Sequence, residues 1–150
     1  MTSHSATLLY CDGACSGNQF SKNKGGWGAV IINNGSIKEF SGNANNTSNQ
    51  KMELTSCIEG LKRLKDVKHS VKVFSDSAYL INCMNDKWYL KWQKNGWINA
   101  KKEKIANKDL WGELLKLISE KNISFHKVEG HSGDKWNELA NDLAQKAQQN

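Results

Sequence analysis

Apolar and polar positions alternate between two periods along this chain. Thr7-Leu8-Leu9-Tyr10-Cys11 is a short apolar run that meets Asp12-Gly13, which predicts a buried strand followed by a turn. Trp27 to Ile32 is a second strand, Asn33-Asn34-Gly35 a hairpin turn, and Ser36 to Gly42 the returning third strand. The period then changes. Leu54, Cys57, Ile58, Leu61 and Leu64 form one apolar helical face, with Glu53 at its opening. Val71 to Phe74 reads as a strand ending at Asp76, and Ser77 to Met84 as a short helix. Asn107 caps a helix carrying Leu110, Trp111, Leu114, Leu115 and Ile118. Ile123 to Val128 is the last strand, and Leu139, Ala140, Leu143, Ala144 and Ala147 mark the last helix. The order β-β-β-α-β-α-α-β-α predicts an α/β fold, a mixed five-stranded sheet flanked by helices.

Length changes this picture little: 150 residues suit a single domain over 1–150. No apolar run approaches the roughly 20 residues that span a bilayer. The start, Met1-Thr2-Ser3-His4-Ser5-Ala6, lacks a signal pattern, so a cytoplasmic location without membrane contact is expected. Cys11, Cys15, Cys57 and Cys83 are spaced for neither a disulfide framework nor a zinc site and read as reduced thiols. Charge says more. The net charge is +6, with a pI near 9.1, and six lysines fall between Lys87 and Lys104 against only Asp86 and Glu103 nearby. A polyanionic partner follows from that concentration.

Ligands of such sheets gather at the carboxyl ends of the central strands. Asp12 and Asp76 are predicted at those ends, with Glu53 beside them. Singly, each acid could cap a turn or a helix. Three converging on one sheet favour a metal site, because crowded carboxylates repel unless a cation neutralises them. All-oxygen ligands select Mg²⁺ or Mn²⁺ over zinc. Two such ions about 4 Å apart activate water and stabilise the leaving oxygen of a phosphodiester.

The motifs resemble those of type 1 ribonuclease H. The matches are Tyr10-Cys11-Asp12-Gly13-Ala14-Cys15-Ser16-Gly17-Asn18, Gly25-Gly26-Trp27-Gly28-Ala29, Asn49-Gln50-Lys51-Met52-Glu53-Leu54 and Phe74-Ser75-Asp76-Ser77. Gly130-His131-Ser132-Gly133, followed by Asn137-Glu138, resembles the closing motif. Each is short, but all five occur in order across nearly the whole chain. The resemblance implies a ribonuclease H-like fold and hydrolysis of RNA in RNA–DNA hybrids, leaving 5′-phosphate and 3′-hydroxyl ends. It implies two Mg²⁺ ions on Asp12, Glu53 and Asp76, and His131 as an assisting proton shuttle. A monomer consisting of the catalytic domain alone is expected.

One position departs from the family pattern. The fourth carboxylate is expected four residues after Asn137, where Asn141 stands; Asp142 follows it. One residue turns a helical side chain by about 100°, so Asp142 is no simple substitute. Asn141 is nearly isosteric with Asp and can offer a cation its amide oxygen, more weakly. Two origins fit: a natural weakening of one metal site, or an exchanged Asp that traps substrate. The second is slightly favoured.

The substrate surface is read from Lys87, Lys91 and Lys94, which share a helical face beside Trp88 and Trp92. With Trp97, Lys101 and Lys102 they resemble the basic protrusion of bacterial type 1 enzymes, where lysines meet phosphates and an aromatic packs on sugars. Packing of Trp92 or Trp97 onto the core is the simpler alternative for either residue alone. Asn18, Ser48, Asn49 and Gln50 flank the acidic cluster and can reach sugar hydroxyls and phosphates; for Ser48 and Asn49 helix capping is equally expected. Two other functions use the same features: a DNA strand-transfer or junction nuclease, and a hybrid-binding module without catalysis.

Overall fold

The computed structural model describes residues 6–16, 23–67, 69–119, 121–129 and 134–149. In chain order the elements are β1 (Thr7–Ser16), β2 (Lys24–Asn33), β3 (Ser36–Asn45), α1 (Asn49–Lys62), β4 (Val71–Ser75), α2 (Ala78–Asn85), α3 (Trp88–Asn95), α4 (Lys108–Ile118), β5 (Ile123–Lys127) and α5 (Lys135–Gln148). The strands form one sheet in the order β3-β2-β1-β4-β5. β1, β2 and β3 are antiparallel, whereas β4 runs parallel to both β1 and β5. This is the mixed five-stranded sheet that the periodicity predicts. Among the described residues, no helix is long and apolar enough to cross a membrane.

Alternation along the strands divides the core between the two faces of the sheet. Leu9, Cys11, Trp27, Ala29 and Ile31 face one layer, where they pack with Leu54, Cys57, Ile58 and Leu61 of α1 and Trp111 and Leu114 of α4. Tyr10 and Val30 face the other, against Ala140 of α5 with Leu139 and Leu143 around it. Each fully buried Leu or Ile contributes about 1.5–3 kcal/mol relative to exposure. The β2–β3 connection is the tight hairpin expected: Asn34 and Gly35 have φ of 50° and 80°, and Asn33 pairs with Ser36.

Two differences from the sequence reading matter for function. β1 does not turn at Asp12-Gly13; it continues to Ser16, with Asp12 opposite Gly28 and Gly13 opposite Trp27 on β2. Gly13 serves a close approach instead. A Cβ there would fall within 3.0 Å of Glu53 N and Met52 C, so α1 rests its backbone directly on β1. Gly26 and Gly28 do the same for α5, since a Cβ at Gly28 would meet Ala140 O and the Leu143 side chain. The second difference is α3, a helix of its own between α2 and α4, with Lys87 at φ 56° before it and Gly96 at φ 81° after it. Asn107 does precede α4 but does not cap it with its side chain; its Nδ2 donates to Tyr79 Oη at 3.1 Å, which also accepts from Trp111 Nε1 at 3.0 Å.

Gly13→Ala should therefore push α1 away from β1. The overpacking should cost about 1–3 kcal/mol. Gly112→Ala is the control, because a Cβ at that position in α4 meets nothing within 4 Å. Thermal unfolding should show Tm several degrees lower for Gly13→Ala, and unchanged or raised for Gly112→Ala. Equal Tm values would show that the β1–α1 approach is slack.

Candidate active site

Asp12, Glu53 and Asp76 come from three elements. β1 pairs with β4 only from Thr7 to Tyr10, matched with Val71 to Phe74. Beyond that point β1 continues past the end of β4, and Asp12 sits where the two part. Glu53 is the fifth residue of α1 rather than its first, and the Gly13 contact brings that turn of the helix down to β1. Asp76 follows β4 between two buried serines. Ser75 Oγ accepts from Ser77 N at 3.0 Å, and Ser77 Oγ caps α2 by accepting from Leu80 N at 3.1 Å. The backbone on both sides of Asp76 is thereby locked.

One carboxylate oxygen from each of the three residues lies within 4.8 Å of the others. Asp12 is buried, and Glu53 and Asp76 are half-buried. The site has local donors. Gly13 N–H donates to Asp12 Oδ1 at 2.9 Å and also to Glu53 Oε1. Asn141 Nδ2 donates to Asp12 Oδ2 at 2.7 Å. These bonds do not lift the crowding. Burial first, then the hydrogen bond with Asp12 and the charges of Asp12 and Asp76, push the Glu53 carboxyl up to about 10. Without a cation, the crowding favours the protonated form of Glu53. An all-oxygen donor set whose charges repel in this way suits a hard divalent cation.

The fourth position is occupied as the count from Asn137 expects. Asn141 of α5 reaches Asp12 because α5 crosses β2 at Gly28, the residue opposite Asp12. Asp142 is exposed, although it lines the same cleft. That cleft, about 300 Å³, is bounded by Asp76, Asn137, Glu138, Asn141 and Asp142. His131 and Asn18 lie outside the described residues.

The expected substrate residues occupy two places, the start of α1 and α3. Ser48 caps α1, its Oγ accepting from Lys51 N at 3.1 Å, so the capping role is realised. Ser48, Asn49 and Gln50 are all exposed, one helical turn from Glu53. Lys87, Lys91 and Lys94 are exposed on and beside α3. The tryptophans divide. Trp92 packs towards the core, 5.7 Å from Trp97 and 5.8 Å from Trp111 between ring centroids, whereas Trp88 is 41% exposed. Sequence reasoning missed the positioning role of Gly13. An Asp-Gly pair signals a turn, and no local pattern distinguishes that from a strand glycine beneath a helix.

Fold and site together define an α/β protein with a carboxylate cluster, suited to a divalent cation, at the point where two central strands separate. Comparison makes this specific. The family model for RNase H matches residues 4–149. A ribonuclease H of Syntrophomonas wolfei is 47% identical over 140 residues, covering 93% of this chain and 94% of that relative. One from Caldanaerobacter subterraneus is 48% identical over 136 residues, covering 91% and 86%. The crystal structure of LC9-RNase H1, a type 1 RNase H with the type 2 active-site motif, superposes with a TM-score of 0.81 at 27% identity, covering 99% of this chain and 74% of that one. The chain belongs to the ribonuclease H family.

The raised Glu53 value has a consequence for stability. An acid that binds its proton more tightly when folded contributes fully below its ordinary value near 4.5, and that contribution is lost as pH climbs towards about 10. In the presence of a chelator, Tm should therefore fall steadily between pH 5 and pH 9 in the unaltered protein. Glu53→Gln, which cannot ionise, should flatten that slope. A slope unchanged in Glu53→Gln would place its origin elsewhere.

Proposed function

We propose that this chain cuts the RNA strand of RNA–DNA hybrids internally, leaving 5′-phosphate and 3′-hydroxyl ends, with two Mg²⁺ ions as cofactors. The observation that carries this is the convergence of Asp12, Glu53 and Asp76 within 4.8 Å in a chain of the ribonuclease H family. Those three carboxylates would hold the ions, with Asn141 at the fourth position, and Mn²⁺ can substitute. When bound, such ions activate a water and stabilise the leaving oxygen of the phosphodiester. Asn141 offers an amide oxygen without charge, so the ion on its side is held more weakly than an aspartate would hold it.

The remaining residues bind and orient. Ser48, Asn49, Gln50 and Asn18 contact 2′-hydroxyls and phosphates of the RNA strand, which is how a protein distinguishes RNA without reading its sequence. Lys87, Lys91 and Lys94 neutralise phosphates of the DNA strand, and the exposed Trp88 packs against its sugars. Trp92 supports this surface from beneath, through its contacts with Trp97 and Trp111. His131 assists proton transfer at the scissile phosphate. Four free cysteines, three of them buried, agree with a reducing cytoplasm, and we take the active form to be a monomer.

The test is cleavage of uniformly labelled RNA presented single-stranded, paired with RNA and paired with DNA, each with Mg²⁺ and with chelator. Internal cuts should appear only in the hybrid with Mg²⁺. Equal cleavage of duplex RNA would remove the role given to the deoxy strand, and cleavage in chelator would remove the cation.

A further inference from the structure

Asn137 is a buried polar residue to which the account so far gives no role. It lies on α5 one turn before Asn141 and is 2% exposed. Its backbone N–H is satisfied by the capping carboxylate of Asp134 at 3.1 Å. Its side-chain Oδ1 is enclosed and has no hydrogen-bond partner among the described residues. Buried acceptors are almost always paired, and an unpaired one calls for a water, an ion or a functional reason. The surroundings of Asn137 identify which. It bounds the cleft of about 300 Å³ that also holds Asp76 and Asn141.

We infer that Asn137 is a positioning residue for the cation held on the Asp76–Asn141 side of the site: its amide forms part of the cleft wall, and its oxygen accepts a hydrogen bond from water carried by that cation. The inference rests on the divalent-cation reading above. Its chemistry follows from Mg²⁺ itself, which dehydrates reluctantly and keeps several waters. Each of those waters presents two protons that need acceptors. Asp76, Glu138 and Asp142 already supply negative charge around the cleft. A neutral carbonyl oxygen adds an acceptor there without adding repulsion. In this chain the role is weightier, because Asn141 contributes no charge at the fourth position. The hydration shell of the more weakly held ion then depends more on its hydrogen-bond partners.

The experiment measures Mg²⁺ binding by titration calorimetry without nucleic acid, alongside Tm in chelator. Asn137→Leu keeps the volume and removes the amide. An oxygen unpaired in the metal-free protein costs nothing to remove, so Tm in chelator should hold or rise. Mg²⁺ affinity should fall about ten- to a hundred-fold, the usual effect of losing an outer-sphere partner. Asn137→Asp retains an acceptor oxygen and should bind Mg²⁺ at least as tightly as the unaltered protein. If Asn137→Leu fails to fold, Asn137→Asp decides alone: affinity at or above that of the unaltered protein supports the role, and a tenfold loss overturns it. Affinity of Asn137→Leu within twofold of the unaltered protein, with a lower Tm, would make Asn137 merely structural. An unaltered protein that binds Mg²⁺ and cuts hybrid alongside that result would overturn this inference alone; one that binds no Mg²⁺ would overturn the cation reading with it.

Discussion

Three carboxylates with oxygens within 4.8 Å of one another cannot all be ionised in a partly buried place without a counter-charge. That repulsion is the constraint to which the surrounding structure answers. The metal-free protein meets it with a raised proton affinity at Glu53, the Gly13 N–H shared between Asp12 and Glu53, and the amide donor of Asn141 on Asp12. Each is a substitute for positive charge. Their arrangement also keeps the carboxylates apart from solvent disorder and in place for a cation, which exchanges one proton and several dipoles for a full double charge.

Holding the cluster together requires helices closer to the sheet than side chains normally allow. The strand glycines provide this on both faces, Gly13 beneath α1 and Gly26 and Gly28 beneath α5. Glu53 and Asn141 therefore approach Asp12 from opposite layers of the fold. The space between them exists because β4 stops at Ser75 while β1 continues. The acidic cluster is thus positioned by backbone contacts and by the serines around Asp76. The proposed nucleic-acid surface is organised differently. α3 is attached through Trp92 and its ring contacts with Trp97 and Trp111, while its lysines and Trp88 remain in solvent. On the proposed reading a polyanion meets a charged helix whose anchor is apolar, and binding and chemistry draw on separate residues.

Periodicity was enough to read the five strands, the Asn34-Gly35 hairpin and the helical faces around Ile58 and Leu143, because each repeats a local pattern several times. The three acids were legible from their places after or beside those elements. Spacing from Asn137 singled out Asn141, and the structure brings that residue into hydrogen-bond contact with Asp12. What escaped was tertiary. Gly13 looks like a turn residue until the helix above it is known. Glu53 looks like the start of a helix, although the chain is already helical from Asn49. Asn107 looks like a cap, but Tyr79 competes for its side chain. α3 was visible only as a helical spacing of lysines and tryptophans, since eight residues form too short a periodic run to stand as an element of their own. Asn137 entered the sequence reading only as a motif position, and its burial is what singles out its side chain.

The central claim is that the crowding of Asp12, Glu53 and Asp76 raises the proton affinity at Glu53 until a cation relieves it. The most direct measurement is the number of protons released when Mg²⁺ binds near pH 7.5, obtained by calorimetry in buffers of different ionisation enthalpy. Displacement of the Glu53 proton predicts release approaching about one proton per chain. Binding of Mg²⁺ with no proton release would show that Glu53 is already ionised, and would contradict the account of how this site tolerates its own charge.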